Sequence, residues 1–122
     1  MSDEKVNALQ REIFRKIEQK RAKIVRVIDA VEHAKIVRRE LKKRFPRLHF
    51  RVRTQRFAGG TAVTVYHCGD IPKEQESQVK EFVNQFDGYE SDLADGRYNV
   101  GFVYEGIRIA GASFCQYNYR WR

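Results

Sequence analysis

Cysteine is scarce, with Cys68 and Cys115 the only two in 122 residues. Two thiols cannot complete a four-ligand zinc site by themselves, and a reducing compartment keeps such residues as thiols. Both fall in predicted strands, where a cysteine packs as a small hydrophobe. The chain has no run of about 18 apolar residues, so no membrane-spanning helix is expected. Met1 to Lys5 lead into a polar helical pattern instead of an apolar signal core, and the protein is expected in the cytoplasm. Low-complexity stretches, internal linkers and solenoid repeats are missing too. So are the phosphate-binding P-loop, the Gly-x-Ser-x-Gly elbow and the His-Glu-x-x-His helix.

The residues that remain offer catalysis no anchor. His33 falls on a helix face among charges, and His49 and His67 fall on adjacent predicted strands near Cys68. No carboxylate or second thiol stands at ligand spacing beside them, so they read as plain histidines and no metal is expected. Asp92 and Asp95 are loop carboxylates without a paired acid or a shielding pocket, which makes them poor general acids. Gly59-Gly60 reads as a hairpin turn, because two glycines alone do not cradle a phosphate. No enzyme and no cofactor is expected; a binding protein is.

The length suits one domain, residues 1–122, able to bury roughly two-thirds of its unfolded surface. Hydrophobic residues make up 42% and charged residues 33%, a globular composition. The net charge of +8 is unevenly placed. Residues 1–56 hold 18 Lys and Arg against 7 Asp and Glu, and residues 57–122 hold 6 against 9. The balances are +11 and −3. Such asymmetry implies an anionic partner for the first half, or a solvated helix face.

Apolar periodicity places the elements. Val6, Leu9, Ile13 and Ile17 recur at steps of three and four, with Phe14 beside them and Ile24 resuming the stripe, which predicts a basic amphipathic helix over 3–26. Asp29 and Glu32 fit a capping box, from which a second helix runs from Ala30 to about Arg44, stopped by Pro46. One unbroken helix over 3–44 is the competing reading, since no Gly or Pro interrupts it.

Leu48 to Thr54 alternates as a strand and places Arg51 and Arg53 on one face, opposite Phe50 and Val52. The loop 55–60 turns into a second strand, Thr61 to Cys68. Pro72 opens a third helix as its first residue, with Asp70 or a neighbour as cap, and Gly88 closes it. An acidic loop spans Gly88 to Gly96, and strands Arg97–Tyr104 and Ile107–Trp121 form a hairpin around Glu105-Gly106. The order is α-α-β-β-α-β-β. An α+β domain follows, its core over 30–122, with helices on one face of a mostly antiparallel four-stranded sheet.

Candidate contacts follow from charge. Arg38, Arg39, Lys42, Lys43, Arg44 and Arg47 crowd the end of the second helix, with Arg51, Arg53 and Arg56 soon after. Cations grouped this way take phosphates through counterion release, without reading sequence. Lys and Arg at a helix C-terminus also offset its partial negative charge. Glu90, Asp92 and Asp95 form a possible second surface, able to imitate phosphates toward a nucleic-acid-binding partner. Tyr117, Tyr119 and Trp121, flanked by Arg120 and Arg122, either stack on a partner or fill the core side of the last strand.

From about Ala34 to residue 116 the chain resembles the large polyvalent-protein-associated domain family of phages and conjugative elements. The pieces that carry the resemblance are Ala34-Lys35-Ile36-Val37-Arg38, Leu41-Lys42, Phe45-Pro46 and Phe50-Arg51-Val52-Arg53. They continue with Phe57-Ala58-Gly59-Gly60, Ala62 to Tyr66, Val83-Asn84-Gln85-Phe86 and Gly111-Ala112-Ser113-Phe114-Cys115. The chain departs from the family's tryptophan and Asp-Gly-Pro turn at Tyr66 to Pro72, and from its Asp-Gly-Met-like segment at Gly88 to Asp92. The resemblance brings no catalytic activity. It implies a mobile-element setting, with interference in host defence of the anti-CRISPR or anti-restriction type, or accompaniment of incoming DNA. The expected partner is a host defence nucleoprotein complex or DNA or RNA itself. Docking or homo-oligomerisation through helix 3–26 is the alternative.

Overall fold

Asp29 divides the basic N-terminal segment in two. Its backbone is extended and its carboxylate accepts the amide of Glu32 at 2.8 Å, satisfying an orphan donor of the first turn and stabilising the start by about 1 kcal/mol. Helix α2 (Ala30–Arg44) begins there as expected and ends at Phe45, whose amide reaches the Leu41 carbonyl at 2.8 Å. The second half of the capping box is not formed backward: the Glu32 carboxylate takes Arg26 at 2.7 Å. The computed structural model describes residues 3–94 and 96–118.

Helix α1 runs Asp3–Ala22 rather than to residue 26, and Ile24–Val27 is a strand, β1. Three of its four residues are β-branched, which favours extended backbone once a ladder partner is at hand. The partner is β7 (Ile107–Ala110), alongside which β1 lies parallel, Arg26 opposite Ile109 and Val27 opposite Ala110. The unbroken helix over 3–44 is thereby excluded.

Strands β2 (Phe50–Phe57) and β3 (Gly60–His67) form the expected hairpin, although β2 runs three residues past its predicted end and leaves only Ala58 and Gly59 as the turn. Helix α3 (Lys73–Asn84) follows. Pro72 is its N-cap rather than its first residue, no side chain caps it, and Gly88 is not the left-handed residue that closes it. The acidic loop is instead a short hairpin of β4 (Tyr89–Ser91) and β5 (Arg97–Asn99). The predicted strand 97–104 breaks at Val100-Gly101, so β6 (Phe102–Tyr104) is separate. Its hairpin with β7 turns on Glu105 and Gly106, both at positive φ (52° and 80°), the two-residue geometry that suits strand twist.

The last predicted strand breaks as well. Residues 111–113 carry the chain from β7 into β8 (Phe114–Asn118), which lies in another sheet. The expected four-stranded sheet is therefore replaced by three small ones, ordered β1-β7-β6, β2-β3-β8 and β4-β5. Two of the pairings, β1 with β7 and β3 with β8, are parallel. The class remains α+β. No helix of the described residues is long and apolar enough to cross a membrane.

Helices α2 and α3 bury Val37, Leu41, Val79 and Val83 against Val52, Val63, Val65 and Cys115 of the β2-β3-β8 sheet. At the centre stands His33, fully buried, contrary to its expected place among charges. Its Nδ1 accepts the Ala112 amide at 2.9 Å and its Nε2 lies 2.9 Å from the Phe86 carbonyl, to which it donates. The ring stacks on Phe102 with centroids 4.7 Å apart. Each ring nitrogen is thus committed in the neutral form, and burial pulls the imidazole down to about 4, against a smaller opposing pull from the Phe86 carbonyl.

Two expectations follow. The unfolded chain protonates His33 near its ordinary 6.5 while the folded chain resists until about 4. The resulting stability is whole above the upper value and is lost as pH falls through that window, by up to about 3 kcal/mol. Urea melts at about pH 7.5 and about pH 4.5 should show that decline, and a His33→Gln variant should show a shallower one. Burial, followed by the Asp87 carboxylate, pushes the Cys115 thiol up to about 12. A thiol reagent should therefore modify half-buried Cys68 in the native protein and reach Cys115 only after unfolding.

Candidate functional site

Register decides which side chains of the β2-β3-β8 sheet face away from the helices. Val52 stands opposite Val65, and Val65 opposite Tyr117, on the side filled by α2 and α3. The alternate positions then form three outward rows: Arg51–Tyr66–Asn118, Arg53–Thr64–Gln116 and Gln55–Ala62–Phe114. Arg51, Arg53, Gln116 and Asn118 are exposed, whereas Thr64 in their midst is only 2% exposed. The Thr64 hydroxyl has no hydrogen-bond partner among the described residues. The face is polar and basic, with cations concentrated on the edge strand β2.

Arg38 ties α2 to that edge. Its guanidinium donates to the Val52 carbonyl at 3.0 Å, so the stripe of Arg38 and Lys42, one turn apart, runs beside β2. The other predicted cations are placed differently. Arg39 lines a cleft of about 500 Å³ with Arg26, Lys35, Asp29, Glu32 and Tyr104. Lys43 approaches Glu40 at 3.4 Å, and Arg44 lies over the Phe45 ring, 5.1 Å from its centre. Arg47 is exposed beyond Pro46, and Arg56 borders a further cleft with Asp29, Thr54 and Thr61. Neighbouring helix positions lie about 100° apart, so the nine cations do not share one face. Arg51 and Arg53 share the outward face of β2, and Arg38 reaches the same edge strand at the Val52 carbonyl.

The acidic group is largely engaged within the fold. Glu90 pairs with Lys20 of α1. Asp92 accepts the Gly96 amide at 2.8 Å, the Ala94 amide at 2.9 Å and the Tyr98 hydroxyl at 3.1 Å, and these bonds, the Gly96 amide foremost, hold its carboxyl below the usual range. Asp95 lies outside the described residues, as do Tyr119, Arg120, Trp121 and Arg122. Tyr117 belongs to the core, with its hydroxyl 3.4 Å from Glu76. His67 is buried, its Nδ1 2.8 Å from the Gly69 carbonyl, and the described residues contain no group of three or more His, Cys, Asp or Glu that could hold a metal.

The sequence reading missed an aromatic cleft at the end of the same face. It encloses about 330 Å³ between Phe57, Ala58, Gly59, Tyr89, Arg97 and Phe114, with Tyr98, Asn99 and Ser113 completing the wall. Phe57 and Phe114 have ring centres 5.6 Å apart, and Tyr89 and Phe114 4.8 Å apart. Phe57 shares the parity of Arg51 and Arg53, a signal available in the sequence once β2 is carried to residue 57. Phe114 alternates with buried Cys115 and Tyr117, but its meeting with Phe57 depends on β8 pairing with β3, a contact distant in sequence.

A model of the family described as large polyvalent protein associated domain 29 matches residues 28–119. The chain belongs to that family. The large polyvalent protein associated domain 29 portion takes in α2, α3 and all strands after β1, and leaves α1 and β1 outside it. Its family places the chain among domains associated with phages and mobile elements. No curated protein and no solved structure matches the chain. Two of the segments that carried the resemblance, Phe57 to Gly60 and Gly111 to Phe114, meet at the aromatic cleft.

Gly60 makes that meeting possible. A Cβ there would collide with Ser113 Oγ and lie 3.1 Å from the Phe57 ring. Gly60→Ala should destabilise the fold by about 1–3 kcal/mol through overpacking. Denaturant midpoints equal to those of the parent would contradict this account of the packing.

Proposed function

We propose that this chain is a non-enzymatic accessory binding protein of a mobile element, holding an anionic partner against the outer face of β2 and the adjoining stripe of α2. The observation that supports this reading most is the alternation of Arg51 and Arg53 on one exposed face, with Arg38 anchored beside it. Fixed cations on rigid elements neutralise phosphates and release the counterions condensed around them. The partner is DNA, RNA or the nucleoprotein of a host defence system. Occluding such a complex would make the protein an anti-defence factor of the anti-CRISPR or anti-restriction type.

The non-enzymatic part of the proposal draws on where the perturbed groups sit. His33 is held by an amide and a carbonyl, Asp87 accepts the Tyr89 and Cys115 amides, and the Cys115 thiol is buried in the core near the Asp87 carboxylate. Burial raises the Asp87 carboxyl while the Cys115 and Tyr89 amides favour its ionised form. These contacts give each group a structural task.

A second reading rests on α1. Val6, Leu9 and Phe14 are 37%, 49% and 40% exposed on that helix, an apolar stripe suited to a partner helix or a second copy. Light scattering of the full chain tests it: a monomer at every concentration, with Leu9→Glu changing no interaction, ends this reading.

The principal proposal predicts a mobility shift with duplex DNA or single-stranded RNA that weakens sharply between low and moderate salt. The paired Arg51→Glu and Arg53→Glu substitutions should abolish it, because each converts an attraction into a repulsion. A shift that survives both changes removes the proposed surface.

A further inference from the structure

We infer that the aromatic cleft beside the arginine row is a base-stacking site, so that the nucleic acid held on this face is single-stranded, with one unpaired base lodged against Phe57 and Phe114. The inference rests on the anion-binding reading above and narrows its ligand to one class.

Position is the first argument. Phe57 shares the outward face of β2 with Arg51 and Arg53. Phe57 stands four positions beyond Arg53, about 13 Å along a strand. A backbone running along β2 can therefore rest on the arginines while a base turns into the cleft at the strand's end.

Shape and chemistry are the second. Phe57 remains 44% exposed although it touches another ring, and Tyr89, Phe114 and Phe57 form a continuous tilted shelf. The enclosed space of about 330 Å³ is within the range of small-ligand sites. Its walls mix aromatic rings with polar side chains. The Ser113 hydroxyl accepts the Thr61 amide at 3.3 Å and keeps its own proton to donate. Asn99 is fixed by bonds to the Gly111 carbonyl at 3.1 Å and the Gly101 amide at 3.0 Å, which makes it wall rather than reader. Arg97 stands exposed at the rim, without a carboxylate partner among the described residues.

Charge is the third. An aromatic shelf with Arg97 at its rim and Arg53 farther along the same outward face of β2, neither paired with a carboxylate among the described residues, suits a ligand that is both anionic and flat-ringed. Bases inside a duplex are stacked and paired, and their faces become available only after unstacking. An unpaired strand presents those faces at no such cost, and aromatic side chains take any base by its π-face.

The test uses the full chain and fluorescence anisotropy with labelled oligonucleotides of about a dozen nucleotides, single-stranded and as the matching duplex. The single strand should bind at least about tenfold more tightly than the duplex, and Phe57→Ala should weaken the single strand by roughly tenfold while leaving the duplex unchanged. Phe57→Trp should restore affinity, with its emission quenched by the bound strand. Phe114→Ala serves as a second route if the first variant melts early. Equal or tighter duplex binding, an unchanged single-strand affinity in a folded Phe57→Ala, or an unquenched tryptophan overturns the inference. Duplex binding that needs Arg51 and Arg53 but ignores Phe57 would leave the anion-binding reading standing and defeat this one. Absence of binding by either oligonucleotide would remove both.

Discussion

A neutral imidazole holds the molecule together at the point where its pieces cross. His33 joins α2, the chain leaving α3 at Phe86 and the crossing between β7 and β8 at Ala112, and it stacks on Phe102 of β6. Because the ring has no access to water, each of its nitrogens needs a protein partner, and only the neutral tautomer serves both. Gly111 must be glycine for the ring to sit there, since a Cβ would lie 3.0 Å from His33 Cγ. Where this contact turns the chain, β7 ends and β8 begins. The outer face and the aromatic cleft inherit their geometry from that turn, which delivers Ser113 and Phe114 to the end of β2.

Two parallel pairings give the fold its non-local character. β3 meets β8 from about fifty residues away, and β1 meets β7 from still farther. Parallel neighbours cannot be joined by a tight turn, so each demands a long crossover. For β3 and β8 the crossover contains α3 and two hairpins. For β1 it spans nearly the whole family domain, although β1 itself lies before the matched residues. Helix α1 and β1 thus extend the family unit, with β1 completing a sheet edge and α1 held by Ile17, by Lys20 on Glu90 and by Phe14 edge-on to Tyr98.

Charge in the sequence and charge on a surface differ here. The basic half distributes its cations around α1, α2 and β2, and a few are diverted to carbonyls, rings or carboxylates. The acidic cluster of the second half shrinks further, since Glu90 steadies α1 and Asp92 closes the β4–β5 turn. What survives is a smaller basic face at one edge of one sheet. Its two ends differ, cationic toward Arg51 and aromatic toward Phe57, and a ligand with both a charged backbone and flat rings matches that combination best.

Local chemistry was readable from the residues. The Asp29 cap, the end of α2 before Pro46, the β2–β3 and β6–β7 hairpins and the arginine alternation all follow from forces acting over a few residues: capping, turn geometry and the two-residue period of a strand. Ile24 to Val27 was misread because β-branched residues tolerate both helix and strand, and the choice belonged to β7, some eighty residues away. Ile107 to Asn118 looked like one strand because its alternation runs on, but the ladder breaks at 111–113, where His33 takes the Ala112 amide, and β8 enters another sheet. Strand partners, sheet number and the meeting of Phe57 with Phe114 depend on contacts distant in sequence. Those were decided only when the chain closed around its buried histidine.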